Sequence, residues 1–410
     1  MRPRERGEDR ERKQVELRNR HRAEIAARKR AANSLSQNSA PSSQLLSLPF
    51  IKQYLSQCLS EDHVHTSLSS LQCALANQGP EPMQQALELQ IHCELPKIFE
   101  RYRGSERVVG VWLACVANLA AGPRSVTMEV ASCGLIPLLC SSLPTLSLPN
   151  LHQAILALGN LCGDSPSLRD QSIALNAHLF IHSRLQVESS LPLCRISSWT
   201  LSNMCRGSPP ISIQAAEEIL PVFKELLRGR DEVTVASALY GLGYITYAGL
   251  EYVQLALREA GLVVEVGKWV EFGEAGVKLP ALKLIGNIVS GDHLQTQKVL
   301  EMPILPLLQK CINSLNPSIR REVFFILSNI CAGTLPQIDL LLGSSMASEL
   351  ILALEDHDSA VRSEALWAFD NLTKTCSQSQ LLKFTNNGLF QSLKGAFLYP
   401  DMDYKQVRSR

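Results

Sequence analysis

One short pattern recurs along the 410-residue chain: an apolar helical run, an Asn, two or three small or apolar residues, then usually a Gly. It reads VANLAAG, LGNLCGD, LSNMCRG, LGYITYAG, IGNIVSG, LSNICAG and FDNLTKT. The recurring position is Asn118, Asn160, Asn203, Tyr244, Asn287, Asn329 and Asn371, in steps of 42, 43, 41, 43, 42 and 42 residues. A fixed period constrains a chain more than composition does. Each unit is too small to bury its own apolar face and must stack on its neighbours. Apolar residues fall at helical spacing with few alternating Val, Ile or Thr runs, which predicts helices and argues against strands.

A step near 42 belongs to the armadillo/HEAT class. The predicted fold is all-α: an armadillo-repeat right-handed superhelix, an α-solenoid of about eight repeats plus a partial ninth, with one short and two longer helices per unit. Stretches such as LIPLLCSSL, ILPVFKELL and ILPLLQKCI carry the apolar face of a second helix. The recurring Asn then lies late on the third helix, and third helices of such a stack line one concave surface. The expected layout is a basic tail at 1–32, a polar, Ser-rich linker at 33–47, the repeat domain at 48–395 and a C-terminal tail at 396–410.

Composition removes several classes. With 45% hydrophobic and 19% charged residues, the chain is neither disordered nor fibrous. No window offers about 18 uninterrupted apolar residues and the N-terminus is charged, so neither membrane spanning nor secretion is expected. The 12 Cys are dispersed without C-x-x-C spacing and read as small buried hydrophobes in a reducing compartment. The close His pairs, His63/His65 and His178/His182, have no Cys or carboxylate at ligand spacing, so no metal and no cofactor are expected. No G-x-x-x-x-G-K-[ST], H-E-x-x-H or G-x-S-x-G appears, and the lone Gly-x-Gly in GLGYITYAG follows no strand, so the chain reads as no enzyme. The net charge of +1 conceals a split. Residues 1–32 carry 12 Lys/Arg against 6 Asp/Glu, leaving 28 basic and 33 acidic residues in the remainder. Tail and body are electrostatically complementary.

A lone Asn of this kind usually satisfies a neighbouring backbone group. Six in register instead offer repeated donors and acceptors to an extended peptide backbone. One helical turn earlier, on the same face, stand Ala114, Leu156, Trp199, Tyr240, Lys283, Phe325 and Trp367. Flat rings there form slots for the aliphatic stems of Lys or Arg, with cation–π attraction of about 0.5–2 kcal/mol each. The other expectation for such rings is that they are core.

At WTLSNMCRGSPP, LGNLCGDSPSLRD, PALKLIGNIVSGDHLQTQ, REVFFILSNICAG and EALWAFDNLTKT the chain resembles the importin alpha (karyopherin alpha) family, the adaptors that carry nuclear-localisation-signal cargo. The resemblance implies a major peptide site at Asn118, Asn160, Asn203 and Trp199, with Gly122, Thr127 and Asp164 in the places that hold a key lysine. Ala114 and Leu156 stand where the family has Trp. It implies a minor site at Lys283, Asn287, Glu322, Phe325, Asn329, Glu364, Trp367 and Asn371, with Tyr240 and Tyr244 between the two. RKQVELRNRHRAEIAARKR resembles the importin-beta-binding segment, through Arg12, Lys13, Val15, Leu17 and Arg18, and its autoinhibitory cluster corresponds to Arg28, Lys29 and Arg30. The implied partners are importin beta and cargo with Lys/Arg-rich signals, in cytoplasm and nucleus. The chain stops at Arg410 after a partial ninth repeat, which argues against the export receptor that the family's tenth repeat helps bind. Direct nucleic-acid binding is not expected, because no aromatic residue interleaves with the basic tail. The alternative function is an armadillo scaffold for a dedicated partner peptide, without import activity.

Overall fold

The computed structural model describes residues 46–57, 60–77 and 81–396, and every regular element among them is a helix. The basic tail, with Arg12, Lys13, Val15, Leu17, Arg18, Arg28, Lys29 and Arg30, lies outside the described residues. The chain divides into two compact units, one up to Arg184 and one from Leu185. The long helix of each repeat is labelled here in chain order. The first unit holds α1 (Glu61–Asn77), α2 (Glu106–Ala120) and α3 (Leu148–Asp164), each packed on the next. The second holds α4 (Leu191–Met204), α5 (Glu232–Tyr247), α6 (Ala275–Val289), α7 (Pro317–Ile330) and α8 (Ser359–Thr375), again each on the next. All seven recurring positions fall late on these helices, as the period predicts. Among the described residues no single helix is long and apolar enough to cross a membrane.

The division within a repeat differs from the expectation of one short and two longer helices. In most units two short helices precede one long one, as in Arg124–Ser132, Leu135–Ser142 and then α3. The cause is a left-handed stop inside an apolar run. Gly134 (φ 79) separates the first pair, and Gly261 (φ 78) separates Leu250–Arg258 from Leu262–Phe272. Glycine takes this conformation at no steric cost and ends the helix there. Between α4 and α5 the order changes again, with one helix, Ile213–Leu226, in place of two.

Several long helices start where a short polar side chain accepts a backbone N–H: Ser105 from Val108, Asp231 from Thr234, and Asp358 from Ala360 and Val361. Within each unit their apolar faces pack against the neighbouring long helices. Trp112 is fully buried, donates its indole N–H to the Leu95 carbonyl at 2.8 Å, and packs on Phe99 with ring centroids 4.7 Å apart. Cys115, Cys162, Cys205, Cys311 and Cys331 are buried thiols, and burial pushes Cys162 up to about 12.

A second column, of Gln at steps of 42 and 43 residues, joins successive repeats within the second unit. Gln295, Gln337 and Gln380 are buried, and each closes a capping box with Asp292, Thr334 and Ser377 respectively. The same carboxamides donate Nε2–H to the carbonyls of Leu250, His293 and Leu335 at 3.0, 2.8 and 2.9 Å. Those three residues open the first helices of the preceding repeats. Gln337→Met strands a buried carbonyl and a helix-start N–H, so urea unfolding should show a loss of about 1–3 kcal/mol.

Two Arg–Asp latches, each spanning 36 residues, join successive long helices. Arg195 grips Asp231 through Nη2 at 2.6 Å and Nε at 3.0 Å. Arg320 grips Asp356 through Nη2 at 3.0 Å and Nε at 3.1 Å. The Arg195 hydrogen bonds hold the Asp231 carboxyl well below its usual range. At Asp356 burial pushes upward, but Arg320 and the Asp358 backbone N–H together carry the carboxyl below 3.8. A depressed carboxylate stabilises the fold above its ordinary value and loses that contribution as pH falls through the folded one. The urea midpoint should therefore drop between about pH 5 and pH 2, and an Asp231→Asn/Asp356→Asn variant should show a shallower drop.

Candidate functional site

Side-chain exposure isolates a narrow stripe on the long helices of each unit. From Trp112 to Ala120 in α2, only Ala114 and Asn118 are partly exposed. From Ile196 to Met204 in α4, only Trp199 and Asn203 are; from Pro280 to Val289 in α6, only Lys283 and Asn287; and from Glu322 to Ile330 in α7, only Phe325 and Asn329. Residues four apart share a helix face, so the recurring Asn and the residue one turn before it form a single open line per helix. In α8 Trp367 and Asn371 stand on the same stripe, widened by Leu366 and Asp370. In α5 Tyr240 is 39% exposed and Tyr244 half-buried. None of these rings is core. Leu156 in α3 is partly exposed, whereas Asn160 is 8% exposed and belongs to the packed side of its helix.

The amides also bond the repeat before them. Asn118 donates Nδ2–H to the Gln72 carbonyl at 3.5 Å, Asn160 to Ala117 at 3.3 Å, Asn287 to Gly243 at 3.0 Å and Asn371 to Ser328 at 2.7 Å. Asn329 instead bonds its own helix, at the Phe325 carbonyl. The structural use of a buried Asn and its place on the open stripe therefore coexist. An amide carries two donors and two acceptor lone pairs, so one such latch leaves it able to bond a peptide backbone.

In the first unit, Thr127 and Asp164 come together. The fully buried Thr127 hydroxyl donates to the Asp164 carboxylate and sits 2.9 Å from the Arg124 carbonyl. Asp164 is the last residue of α3 and is half-buried. The next helix, Pro166–Ala174, takes Ser165 as its N-cap, so Asp164 is not that cap. Gly122 lies in the turn after α2, where a Cβ would come 3.0 Å from both the Leu119 carbonyl oxygen and Met83 Sδ. A larger residue there requires a neighbour to shift.

In the second unit, two carboxylates border the stripe. Glu322, Phe325 and Asn329 are spaced i, i+3, i+7 on α7, and Glu364, Trp367 and Asn371 repeat that spacing on α8. Both glutamates are buried, and Arg321 Nε reaches Glu364 Oε1 at 3.6 Å. Sequence reasoning missed two supports of this arrangement. One is Arg321. The other is Gly286, where a Cβ would sit 3.1 Å from both Glu322 Oε1 and the Phe325 ring. The glycine beside Asn287 in IGNIVSG was the available signal.

No protein-family model matches the chain. It is 31% identical over 237 residues to importin subunit alpha-1a of Oryza sativa subsp. japonica, covering 58% of this chain and 45% of that protein. Importin subunit alpha-1b of the same organism is 33% identical over 208 residues, covering 50% and 39%. Importin subunit alpha-3 of Arabidopsis thaliana is 31% identical over 208 residues, with the same coverage. The chain thus spans less than half the length of these relatives. Among solved structures, an engineered protein superposes with a TM-score of 0.78 at 17% identity, over 88% of this chain and 87% of that one. A designed armadillo repeat protein in complex with the peptide (KR)4 gives a TM-score of 0.53 at 19% identity, over 58% and 99%. These likenesses identify the fold as an all-α armadillo solenoid.

Proposed function

Because the chain is a member of the importin alpha family, we propose that it is a nuclear import adaptor. It binds Lys/Arg-rich nuclear localisation signals of cargo along the open stripe, links them to importin beta through residues 1–32, and works between cytoplasm and nucleus. The observation that supports this reading most is the stripe itself, where on α2, α4, α6 and α7 a recurring amide and the residue one turn before it stay open between buried neighbours. The partly exposed amides, Asn118, Asn203, Asn287, Asn329 and Asn371, bond an extended backbone without reading its sequence. Trp199, Tyr240, Phe325 and Trp367 flank the stems of basic side chains. Asp164 with Thr127, and Glu322 and Glu364, supply countercharge and charge-assisted hydrogen bonds to the ammonium or guanidinium groups.

Tail residues Arg28, Lys29 and Arg30 compete for the same surface, since a tethered segment has an effective concentration of about mM. The test is fluorescence anisotropy of a labelled (KR)4 peptide on the full chain. Saturable binding that weakens steeply with salt is expected. Replacing Arg28, Lys29 and Arg30 by Ala should raise affinity severalfold in the absence of importin beta; unchanged affinity removes the competition. Absence of binding by the triple variant overturns the adaptor reading. Pulldown by importin beta that is lost on deleting residues 1–32 supports adaptor function, and none by the intact chain favours a dedicated scaffold.

A further inference from the structure

Among the described residues, one group of His, Cys and carboxylate side chains gathers its donor atoms closely enough to hold a metal ion: His92, Cys93 and Cys133, all within 4.8 Å of one another. It belongs to the first unit and is separate from the residues assigned to peptide binding. His92 and Cys93 lie on the short 3-10 helix Ile91–Glu94, entered through a left-handed Gln90. Cys133 ends the helix Arg124–Ser132, immediately before the left-handed Gly134. The two segments are 40 residues apart in sequence and packed together.

The spacing fits a metal. Cys93 Sγ is 3.4 Å from His92 Nε2 and 3.5 Å from Cys133 Sγ. A tetrahedral zinc ion with Zn–S near 2.3 Å and Zn–N near 2.0–2.1 Å sets its donors about 3.5–3.8 Å apart, close to both of these separations, and the third pair lies within 4.8 Å. His92 is 6% exposed and its Nδ1 has no hydrogen-bond partner, so the protein alone leaves the bonding of this ring incomplete. Both cysteines are partly exposed, which gives an entry path. Glu129 stands one turn before Cys133 on the same helix face, and its charge reaches both His92 and Cys133. The nearby Lys52 is held by Glu94 at 2.8 Å and by the Gln90 carbonyl at 3.1 Å.

We propose that His92, Cys93 and Cys133 form a zinc-binding site whose fourth position is open to Glu129 or water. Thiolate and imidazole donors select zinc over the hard cations magnesium and calcium. The ion cross-links the segment before α2 to the segment after it, so binding adds to the folding stability of the first unit. The sequence-based expectation of no metal weighed C-x-x-C spacing and close His pairs. Cys133 joins the adjacent His92 and Cys93 only through packing of segments 40 residues apart.

The full chain, reduced and freed of metal, should be titrated with Co(II) and then Zn(II). A thiolate-to-cobalt charge-transfer band is expected to saturate at one equivalent and to bleach on adding zinc. Cys93→Ser and Cys133→Ser should lose it, while Cys140→Ser, outside the cluster, keeps it. A measurement on the unaltered chain does not depend on any variant folding: zinc should slow alkylation of Cys93 and Cys133 by about tenfold or more and leave Cys194 unchanged. The absence of a saturating band, a band that survives both Ser substitutions, or alkylation rates indifferent to zinc each overturns the assignment.

Discussion

Asp164→Lys should weaken binding of a Lys/Arg-rich peptide by about 10- to 100-fold or more, the equivalent of losing hydrogen bonds to a charged group worth about 1.5–3 kcal/mol. The carboxylate stands at the end of α3 beside the Thr127 hydroxyl, half-buried, where a ligand ammonium gains both a countercharge and a partly dehydrated setting. Asp164→Asn keeps the shape and removes the charge, so it should fall between the native chain and the Lys variant. Anisotropy titration with (KR)4 on the chain lacking residues 1–32 checks the order, and thermal unfolding of each variant separates lost binding from lost fold. Equal affinities for all three would show that Asp164 serves packing alone.

Gly241→Ala should destabilise the second unit by about 1–3 kcal/mol, the usual cost of overpacking a filled core. A Cβ at Gly241 would lie 2.2 Å from Phe223 Cζ and 2.5 Å from Cε2. Phe223 is fully buried under α5, so its ring has nowhere to retreat. Adding Phe223→Leu should recover part of the loss, a non-additive coupling that urea unfolding of both single variants and the pair will measure. If Gly241→Ala costs nothing, helix propensity outweighs the ring contact.

The same glycine shows what the sequence made legible and what it concealed. GLGYITYAG carries a Gly-x-Gly that no nucleotide site explains. In the structure Gly241 accommodates the Phe223 ring, while the Gly243 carbonyl accepts from Asn287. Both partners lie far along the chain, so local pattern cannot reveal them. The period of about 42 residues was legible because every unit repeats its inner face, and with it the helical class and the stripe. The length of the second helix was not: Leu135–Ser142, entered through the left-handed Gly134, ends after 8 residues. Gln295, Gln337 and Gln380 escaped notice because a polar residue in HLQTQ, LPQID or QSQLL looks like ordinary helix surface, and only burial shows its use. Thr127 and Asp164 came from family resemblance, not periodicity. Their contact depends on the helix Arg124–Ser132 packing against α3.

The glutamine ladder has a mechanical consequence. Each rung stitches the beginning of one helix to the beginning of its counterpart a repeat earlier, so fraying at either end must break a bond that also braces the next layer. A chain stretched between its ends should therefore hold most firmly over the repeats that these three rungs join.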